Sequence, residues 1–310
     1  MNRLRLLVSI LALVALVSTL IACGGSGGGG GSEDPQKILD QTFSGHPSIK
    51  SGNLNLKLKV DVKQHGNEGG SVNTELSGPF ENQGAGEVPK FDFAVTGGYH
   101  NFDTAVPESD FDFEGGLTST GDAAFISVNF QHSKLFPGDF RIDGSQFALF
   151  KGGLLAIPAS PLLLTNLTND GDTEVDGTPT THISGDLDLD KALSVLKFIR
   201  SNASALNVLG LGYLGRSPLP ADSQIVAGLD RLIDTAHIDV YSGKQDHVLR
   251  RLTIRLSLNG VSVETVDVSL DAKLNDLNEP QTIEAPPNPK PFSDLVQKYL
   301  GLLAAVGEID

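Results

Sequence analysis

The clearest hydrophobic pattern in the chain is a strict alternation of apolar and polar residues over 54–63. Its apolar members are Leu54, Leu56, Leu58, Val60 and Val62, with asparagine, lysine and aspartate between them. A period of two puts alternate side chains on opposite faces of a β-strand. This segment therefore predicts a strand with one buried face and one face in water.

The same alternation returns in shorter segments and predicts an antiparallel meander. These segments are 72–76, 91–95, 111–114, 123–130, about 181–187, 252–258 and 266–270. The matching Phe-Asp-Phe triplets at 91–93 and 111–113 are interpreted as two strands of one sheet.

Glycine-containing turn signals separate these strands, and each makes a specific prediction. Residues 66–70 are expected to form the first turn, and Gly78-Pro79 to end the second strand. Asp176-Gly177 predicts a further turn. Asn259-Gly260 predicts a two-residue type I′ hairpin. That hairpin would pair Leu258 with Val261 and would require a β-bulge near 264–266 to keep the apolar residues on one face.

Helical spacing predicts a few helices beside the strands. Asp34-Pro35 would begin a short helix that His46-Pro47 ends. Further helices are expected over about 190–206 and 222–232 and, as an amphipathic C-terminal helix, over 295–306. The expected fold class is α+β: a half-open, strongly bent antiparallel sheet, that is, an incomplete barrel, with helices over its concave face.

Two apolar segments, 154–164 and 208–214, are interrupted by glycine or proline and fit neither a long strand nor a helix. Such segments do not belong in water, so they either complete the core or line a cavity. The sequence leaves both readings open. With the neighbouring helix, the candidate cavity-lining residues are Leu154, Leu155, Ile157, Leu162, Leu163, Leu196, Ile199, Leu206, Leu209 and Leu211.

The N-terminus has the three parts of a secretory signal peptide. Arg3 and Arg5 precede an apolar run over 6–21, and the small residue Ala22 precedes Cys23. Leu-Ile-Ala-Cys at 20–23 resembles the lipobox of bacterial lipoproteins, in which the bond before the cysteine is cut and the cysteine carries lipid. An uncleaved signal anchor with a chance cysteine is the alternative, because the run is marginally long enough to span a bilayer.

This reading divides the chain into three parts. Residues 1–22 are the signal peptide, 23–32 are the lipidated Cys23 and a Gly/Ser leash, and 33–310 form a single lipid-binding-type domain. The leash reaches ~16 Å as a flexible coil. Cys23 is the only cysteine, so no internal disulfide can form. The expected location is the extracytoplasmic face of the cell membrane.

Composition and motifs argue against other functions. A net charge of -15 disfavours nucleic acid. Ser194-x-x-Lys197 lacks the other elements of penicillin-recognising enzymes. The calcium-like loop that begins at Asp172 has Ile183 at its twelfth position. The seven histidines lack zinc-site spacing. We therefore expect no catalytic residues, no metal, no cofactor and no enzymatic activity.

The lipobox, the leash, the meander and the segment Asp-Gly-Thr-Pro-Thr-Thr-His at 176–182 together resemble the mycobacterial LppX/LprG-type lipoproteins. Their fold is similar to that of the Lol-type lipoprotein carriers. The resemblance implies a hydrophobic cavity that holds acyl chains. It therefore implies a membrane-anchored protein that binds, and carries, lipid or lipidated molecules. The alternative is an envelope scaffold with a filled core that binds a protein partner.

Overall fold

The computed structural model describes residues 33–44, 49–64, 67–83, 87–100, 111–130, 138–142, 164–188, 233–259, 265–295 and 297. Within them lie the helix α1, Pro35–Ser44, and a short helical segment that begins at 292. The strands are β1 Ser51–Gln64, β2 Asn67–Glu81, β3 Lys90–His100, β4 Phe111–Ser119, β5 Ala124–Phe130, β6 Asp139–Ile142, β7 Leu164–Val175, β8 Thr178–Leu187, β9 Ile233–Gly243, β10 Leu249–Asn259, β11 Thr265–Asn275 and β12 Lys290–Pro291.

All twelve strands form one sheet in the order β12-β6-β5-β4-β3-β2-β1-β11-β10-β9-β8-β7. Neighbouring strands are antiparallel, except that β12 pairs with β6 in parallel. The first six strands and the strands β7 to β11 each follow one another in sequence. The long ladder between β1 and β11 joins these two halves.

The two faces of this sheet differ in polarity, as the alternation in β1 predicts. Leu54, Leu58, Val60 and Val62 are buried on one face, whereas the lysines of β1 are exposed on the other. The strands on either side continue the same division across the sheet, because their registers set apolar residues opposite apolar residues. We call these the apolar face and the polar face.

The helix α1 covers one region of the apolar face. Its start follows the predicted signal: Asp34 Oδ1 accepts a hydrogen bond from the Gln36 amide at 3.0 Å, which caps the helix. Ile38, Leu39 and Phe43 are buried. They belong to a first cluster that also contains Leu54, Phe80, Phe91, Ile183, Ile238, Val240, Leu249, Leu252 and Leu274.

A second cluster lies farther along the same strands. Its members share the apolar face of β1, β10 and β11, and they are Leu58, Val60, Val62, Leu256, Val266 and Val268. The apolar face therefore carries these two buried regions along β1, β10 and β11, and a third, small cluster of Val88 and Ala124 lies at β5.

The predicted α+β class is wrong for the part of the chain that the structure describes. This part forms one open sheet of twelve strands with two short helical segments, rather than a half-open barrel with helices over a concave face. The cause is that 164–175 and 233–243, where no complete strand was predicted, are the strands β7 and β9. The helices predicted at about 190–206 and 222–232 lie outside the described residues.

Two predicted strand ends in the first half are also wrong. The first turn is tighter than 66–70, because β2 already begins at Asn67, which pairs with Gln64. The second strand does not stop at Gly78-Pro79 but continues to Glu81. A Cβ at position 78 would lie 2.0 Å from the carbonyl oxygen of Asp92, so the glycine lets β3 pass close by.

The predicted two-residue hairpin at Asn259-Gly260 is wrong as well. Asn259 pairs with Thr265, and Leu258 pairs with Val266 rather than with Val261. The longer connection keeps the apolar residues of β10 and β11 opposite one another without the predicted bulge. Burial of a whole strand face therefore outweighed the local preference of one dipeptide.

Other turn and pairing predictions are confirmed. The strands that carry the two Phe-Asp-Phe triplets, β3 and β4, are antiparallel neighbours. Asp176 and Gly177 both have positive φ and close the hairpin between β7 and β8, as a type I′ turn requires.

Candidate functional site

A half-exposed row of apolar residues crosses the middle of the apolar face. Ala272, Leu56, Leu76 and Val95 stand side by side on β11, β1, β2 and β3, and Gly115 continues the row on β4. All five are only partly buried. We call this row the apolar patch.

The apolar patch lies between the two buried clusters. On β1, Leu54 belongs to the first cluster and Leu58 to the second, and each is at most 8% exposed. Leu56 stands between them and is more exposed than either. On β1 and β11 the patch is therefore flanked by buried residues. On β2 and β3 the flanking positions are partly buried like the patch itself, and Leu76 and Ala272 pack against the first cluster.

Small residues occupy both ends of the apolar patch. Ala272 and Gly115 stand at the two ends of the patch and offer little or no side chain. In the neighbouring row the ring of Phe113 fills the space over Gly97, where a Cβ would come within 2.5 Å of the ring.

The chemistry available at the apolar patch is burial rather than directed bonding. Its members carry no polar side-chain atoms, and each Å² of apolar surface removed from water contributes about 25 cal/mol. Sites of this kind are typical of ligand or partner binding when they are contiguous on a folded surface. The patch therefore offers apolar contact and carries no group that could perform a reaction.

The polar face carries an open groove of about 680 Å³. The groove crosses β4, β3, β2, β1, β11 and β10, and its charged lining residues are Lys57, Lys59, Glu75, Asp112, Glu114, Arg251, Arg255 and Asp271. Basic and acidic groups are equal in number. Arg251 donates two hydrogen bonds to Asp271, at 2.9 and 2.6 Å. The groove is therefore mixed in charge and largely self-paired.

Beside the groove, a buried carboxylate organises a cluster of polar side chains. Asp239 is 4% exposed. It accepts a hydrogen bond from the Thr253 hydroxyl at 2.6 Å and lies 2.9 Å from His182 Nε2. His237 Nε2 and an Arg255 guanidinium nitrogen approach it at 3.4 and 3.2 Å. We call these five residues the Asp239 cluster.

Burial raises the pKa of the Asp239 carboxyl, but the bonds from Thr253 and His182 and the charges of Arg255 and His237 outweigh it and hold the pKa below its usual value. Burial, together with the negative charge of Asp239, raises the pKa of the neighbouring Tyr241. Tyr241 stacks on His182 with ring centres 4.5 Å apart. The cluster thus keeps a charged carboxylate inside the sheet surface.

The Asp239 cluster lacks the arrangement of a hydrolase. The Thr253 hydroxyl donates its proton to the carboxylate, so the histidine does not activate it as a nucleophile. His182 and His237 instead face the same carboxylate oxygen. We read this cluster as a structural tie between β8, β9 and β10.

None of the site residues predicted from the sequence lies in the described part of the chain. This holds for Ala22 and Cys23 and for the ten cavity-lining candidates, Leu154, Leu155, Ile157, Leu162, Leu163, Leu196, Ile199, Leu206, Leu209 and Leu211. They remain predictions.

Sequence reasoning missed both the apolar patch and the Asp239 cluster. The members of the patch were assigned to strands, but their partial exposure depends on what covers each position, which alternation does not reveal. A signal for the cluster existed in β9, where His237, Asp239 and Tyr241 alternate on one face.

No helix in the described ranges is long and apolar enough to cross a bilayer. The same ranges hold no group of three His, Cys, Asp or Glu side chains that could bind a metal ion. The predicted signal segment 1–22 lies outside them.

Neither a family model nor a curated protein sequence matches the chain. Solved structures that the chain matches include LprF from Mycobacterium bovis, at 14% identity and TM-score 0.33, covering 81% of this chain and 96% of that one. The Mycobacterium tuberculosis lipoprotein LppX matches at 16% identity and TM-score 0.32, with coverages of 88% and 98%. A DUF1329 family protein from Desulfovibrio piger matches at 10% identity and TM-score 0.20, with coverages of 82% and 93%.

LprF and LppX come from the group of proteins that the sequence resembles. The identities and TM-scores are too low to show that this chain belongs to that family or shares a function with it.

Proposed function

We propose that the protein is a lipid-anchored lipoprotein on the extracytoplasmic face of the cell membrane that binds, and carries, acyl lipid or a lipidated molecule. The acyl chains would lie on the apolar patch, between the two buried clusters. The observation that carries this proposal is the partly exposed apolar row around Leu56 and Leu76, which on β1 lies between the two buried clusters.

The anchor is supported by the sequence before the domain. A basic head, an apolar run and Ala22-Cys23 are followed by the glycine-rich residues 24–32. The fold then begins with α1, which packs on the first cluster. A leash of ~16 Å would keep that end of the sheet next to the bilayer, within reach of membrane lipids. Stable anchoring needs more than one acyl chain, and lipoproteins of this kind carry several chains on the cysteine.

The class of ligand follows from the chemistry of the patch. A hydrocarbon chain gains about 0.8 kcal/mol for each methylene that it buries. The apolar patch crosses five strands, and neighbouring strands lie ~4.8 Å apart, so its length suits an extended acyl chain. The patch has no charged group for a headgroup, so the binding would select for hydrocarbon rather than for a particular lipid head.

Mass spectrometry of the full chain, expressed with its own N-terminus and purified in detergent, tests both parts of the proposal. Denaturing spectra report covalent lipid, which we expect on the wild type and not on Cys23→Ser. Native spectra report non-covalent ligand, which we expect as additional mass that disappears after solvent extraction and is recovered as acyl lipid.

Two neighbouring substitutions locate the ligand. Leu76→Gln puts an amide into the apolar patch and should reduce lipid occupancy several-fold. Glu75→Gln changes the next residue, which points to the polar face, and should leave occupancy unchanged. A native mass equal to the denaturing mass after incubation with bacterial lipids would contradict lipid binding. That result would favour the alternative, an envelope scaffold that binds a protein partner.

A further inference from the structure

A proline-rich segment connects the middle of the sheet to one of its edges. It follows β11, which pairs with β1, and leads into β12 at the far side of β6. Residues 280–286 of this segment form no helix, strand or turn, and most of them are exposed. We call residues 276–289 the strap.

Hydrogen bonds fix the first end of the strap to the start of β1. The Asn278 amide donates to the Ser51 carbonyl at 2.9 Å, and the Lys50 amide donates to Asn278 Oδ1 at 2.8 Å. The Ser51 hydroxyl donates to the Glu279 carbonyl at 2.6 Å. Backbone and side-chain bonds together hold this end in one position relative to β1.

The other end of the strap is held at the edge strand β6. Lys290 and Pro291 pair with Phe140 and Arg141 in the parallel ladder between β12 and β6. The Lys290 ammonium also lies 5.9 Å from the centre of the Phe140 ring, and Phe140 is fully buried. The strap therefore joins two points of the sheet that are fixed independently of each other.

The strap is only slightly longer than the distance that it has to cover. From Glu279 to Lys290 the chain advances 11 residues, which span ~34 Å in the extended form that its prolines favour. From β1 to β12 there are six strand spacings, or ~29 Å across a flat sheet. Asn288, with a φ of +54°, bends the chain before β12 and shortens this reach. A flat sheet would use nearly the whole length of the strap.

We propose that the strap limits the curvature of the sheet between β1 and β6: this half of the sheet can bend further, but it cannot flatten beyond the reach of the strap. Prolines at 280, 286, 287 and 289 make the strap a semi-rigid spacer rather than a flexible loop. Four strands of the apolar patch, β1 to β4, lie within the span, so the strap also fixes the shape of the patch. The proposal does not depend on lipid binding.

Electron–electron distance measurements on the full chain in detergent test the strap. Spin labels are placed at Lys57→Cys on β1 and Arg141→Cys on β6, both exposed positions, in a chain with Cys23→Ser. Inserting Gly-Ser-Gly-Ser between Ile283 and Glu284 adds up to ~13 Å of chain. We expect the distribution of label distances to become at least twice as wide as in the parent chain.

The matched control is the same insertion between Lys244 and Gln245, in the turn that joins the neighbouring strands β9 and β10. It lengthens the chain equally but lies outside the strap, so it should leave the distance distribution unchanged. Thermal unfolding shows that each variant is folded. A folded strap insertion with the parent distribution, or equal broadening by both insertions, would overturn the proposal.

Releasing the first end of the strap supplies an independent test. Asn278→Gly keeps a residue that tolerates the positive φ at this position but removes the bond from the Lys50 amide, and Ser51→Ala removes the bond to Glu279. The double variant should broaden the distances as the strap insertion does. Thr282→Ala, at an exposed position within the strap, should not. Broadening by Thr282→Ala alone, or none in the folded double variant, would contradict the assigned anchor.

Discussion

Asp239 is the residue that ties the polar face of the second half of the sheet together. Its carboxylate joins Thr253 of β10 to His182 of β8, and Arg255 and His237 add positive charge around it. A buried carboxylate is tolerated here because the side chains around it are hydrogen-bond donors or cations. Removing its charge leaves those donors facing a neutral group inside the sheet surface.

We expect Asp239→Asn to lower the free energy of unfolding by about 3 kcal/mol at neutral pH. Because the pKa of the folded carboxyl lies below the unfolded value of about 3.9, the ionised form stabilises the fold above that value. This contribution is lost as the pH falls through the folded pKa. The difference between wild type and variant should therefore be constant above about pH 5 and shrink below about pH 4.

Urea unfolding of both chains between pH 3 and 7 measures this difference. Asp61→Asn is a suitable control, since Asp61 is half-exposed and forms a surface ion pair with Lys59. A difference between wild type and Asp239→Asn that stays the same down to pH 3 would mean that the charge of Asp239 does not stabilise the fold.

Among the strands, β2 shows that a Gly-Pro pair does not have to end an element. Gly78 has a φ of +150° and meets the carbonyl of Asp92 on β3. From sequence, Gly-Pro indicated an end, because proline cannot donate to a strand ladder. The strand continues instead, since Phe80 and Phe91 pair beyond the interruption and belong to the first cluster.

Two glycine substitutions distinguish the effect of a close contact on stability from the effect of backbone conformation. Gly78→Ala would place a methyl group 2.0 Å from the Asp92 carbonyl oxygen, whereas Gly177→Ala has a φ of +79° and open space around it. We expect Gly177→Ala to lower stability by about 1 kcal/mol and Gly78→Ala by about 2–3 kcal/mol. Thermal unfolding measures both. An equal loss in the two variants would show that the contact with β3 does not matter.

The hairpin between β10 and β11 shows that a local turn preference can be overridden by the pairing of whole strands. Asn-Gly favours a two-residue turn, but the register that pairs Leu258 with Val266 buries the apolar faces of both strands. Strands with strict alternation, such as β1 and β10, were predictable from sequence. β9 was not, because its apolar positions include Ala236 and its polar face includes the buried Asp239.

For the whole molecule, the sequence predicted an antiparallel sheet with one apolar face but not its extent. Alternation tells which side of a strand is buried, and that expectation held along β1. It does not tell which strands are neighbours, so the ladder between β1 and β11 could not be foreseen. It also cannot tell where a buried face becomes half-exposed, which is why the apolar patch was missed.

That ladder predicts how the protein unfolds. The first cluster, around Leu39 of α1, and the second cluster, around Leu256 of β10, share the continuous face of β1, β10 and β11. Loss of either should therefore destabilise the same cooperative unit. Leu39→Ala and Leu256→Ala should each lower stability by about 2–5 kcal/mol, since both leucines are buried.

Calorimetry of the full chain in detergent measures the unfolding transition of each variant. Lys59→Ala is the exposed control and should change stability by at most about 0.5 kcal/mol. We expect one transition whose midpoint falls in both leucine variants. If Leu39→Ala shifted one transition and Leu256→Ala a different one, the two clusters would unfold independently, and the prediction of a single domain over 33–310 would be wrong. A shared transition would instead support one cooperative unit that contains both clusters.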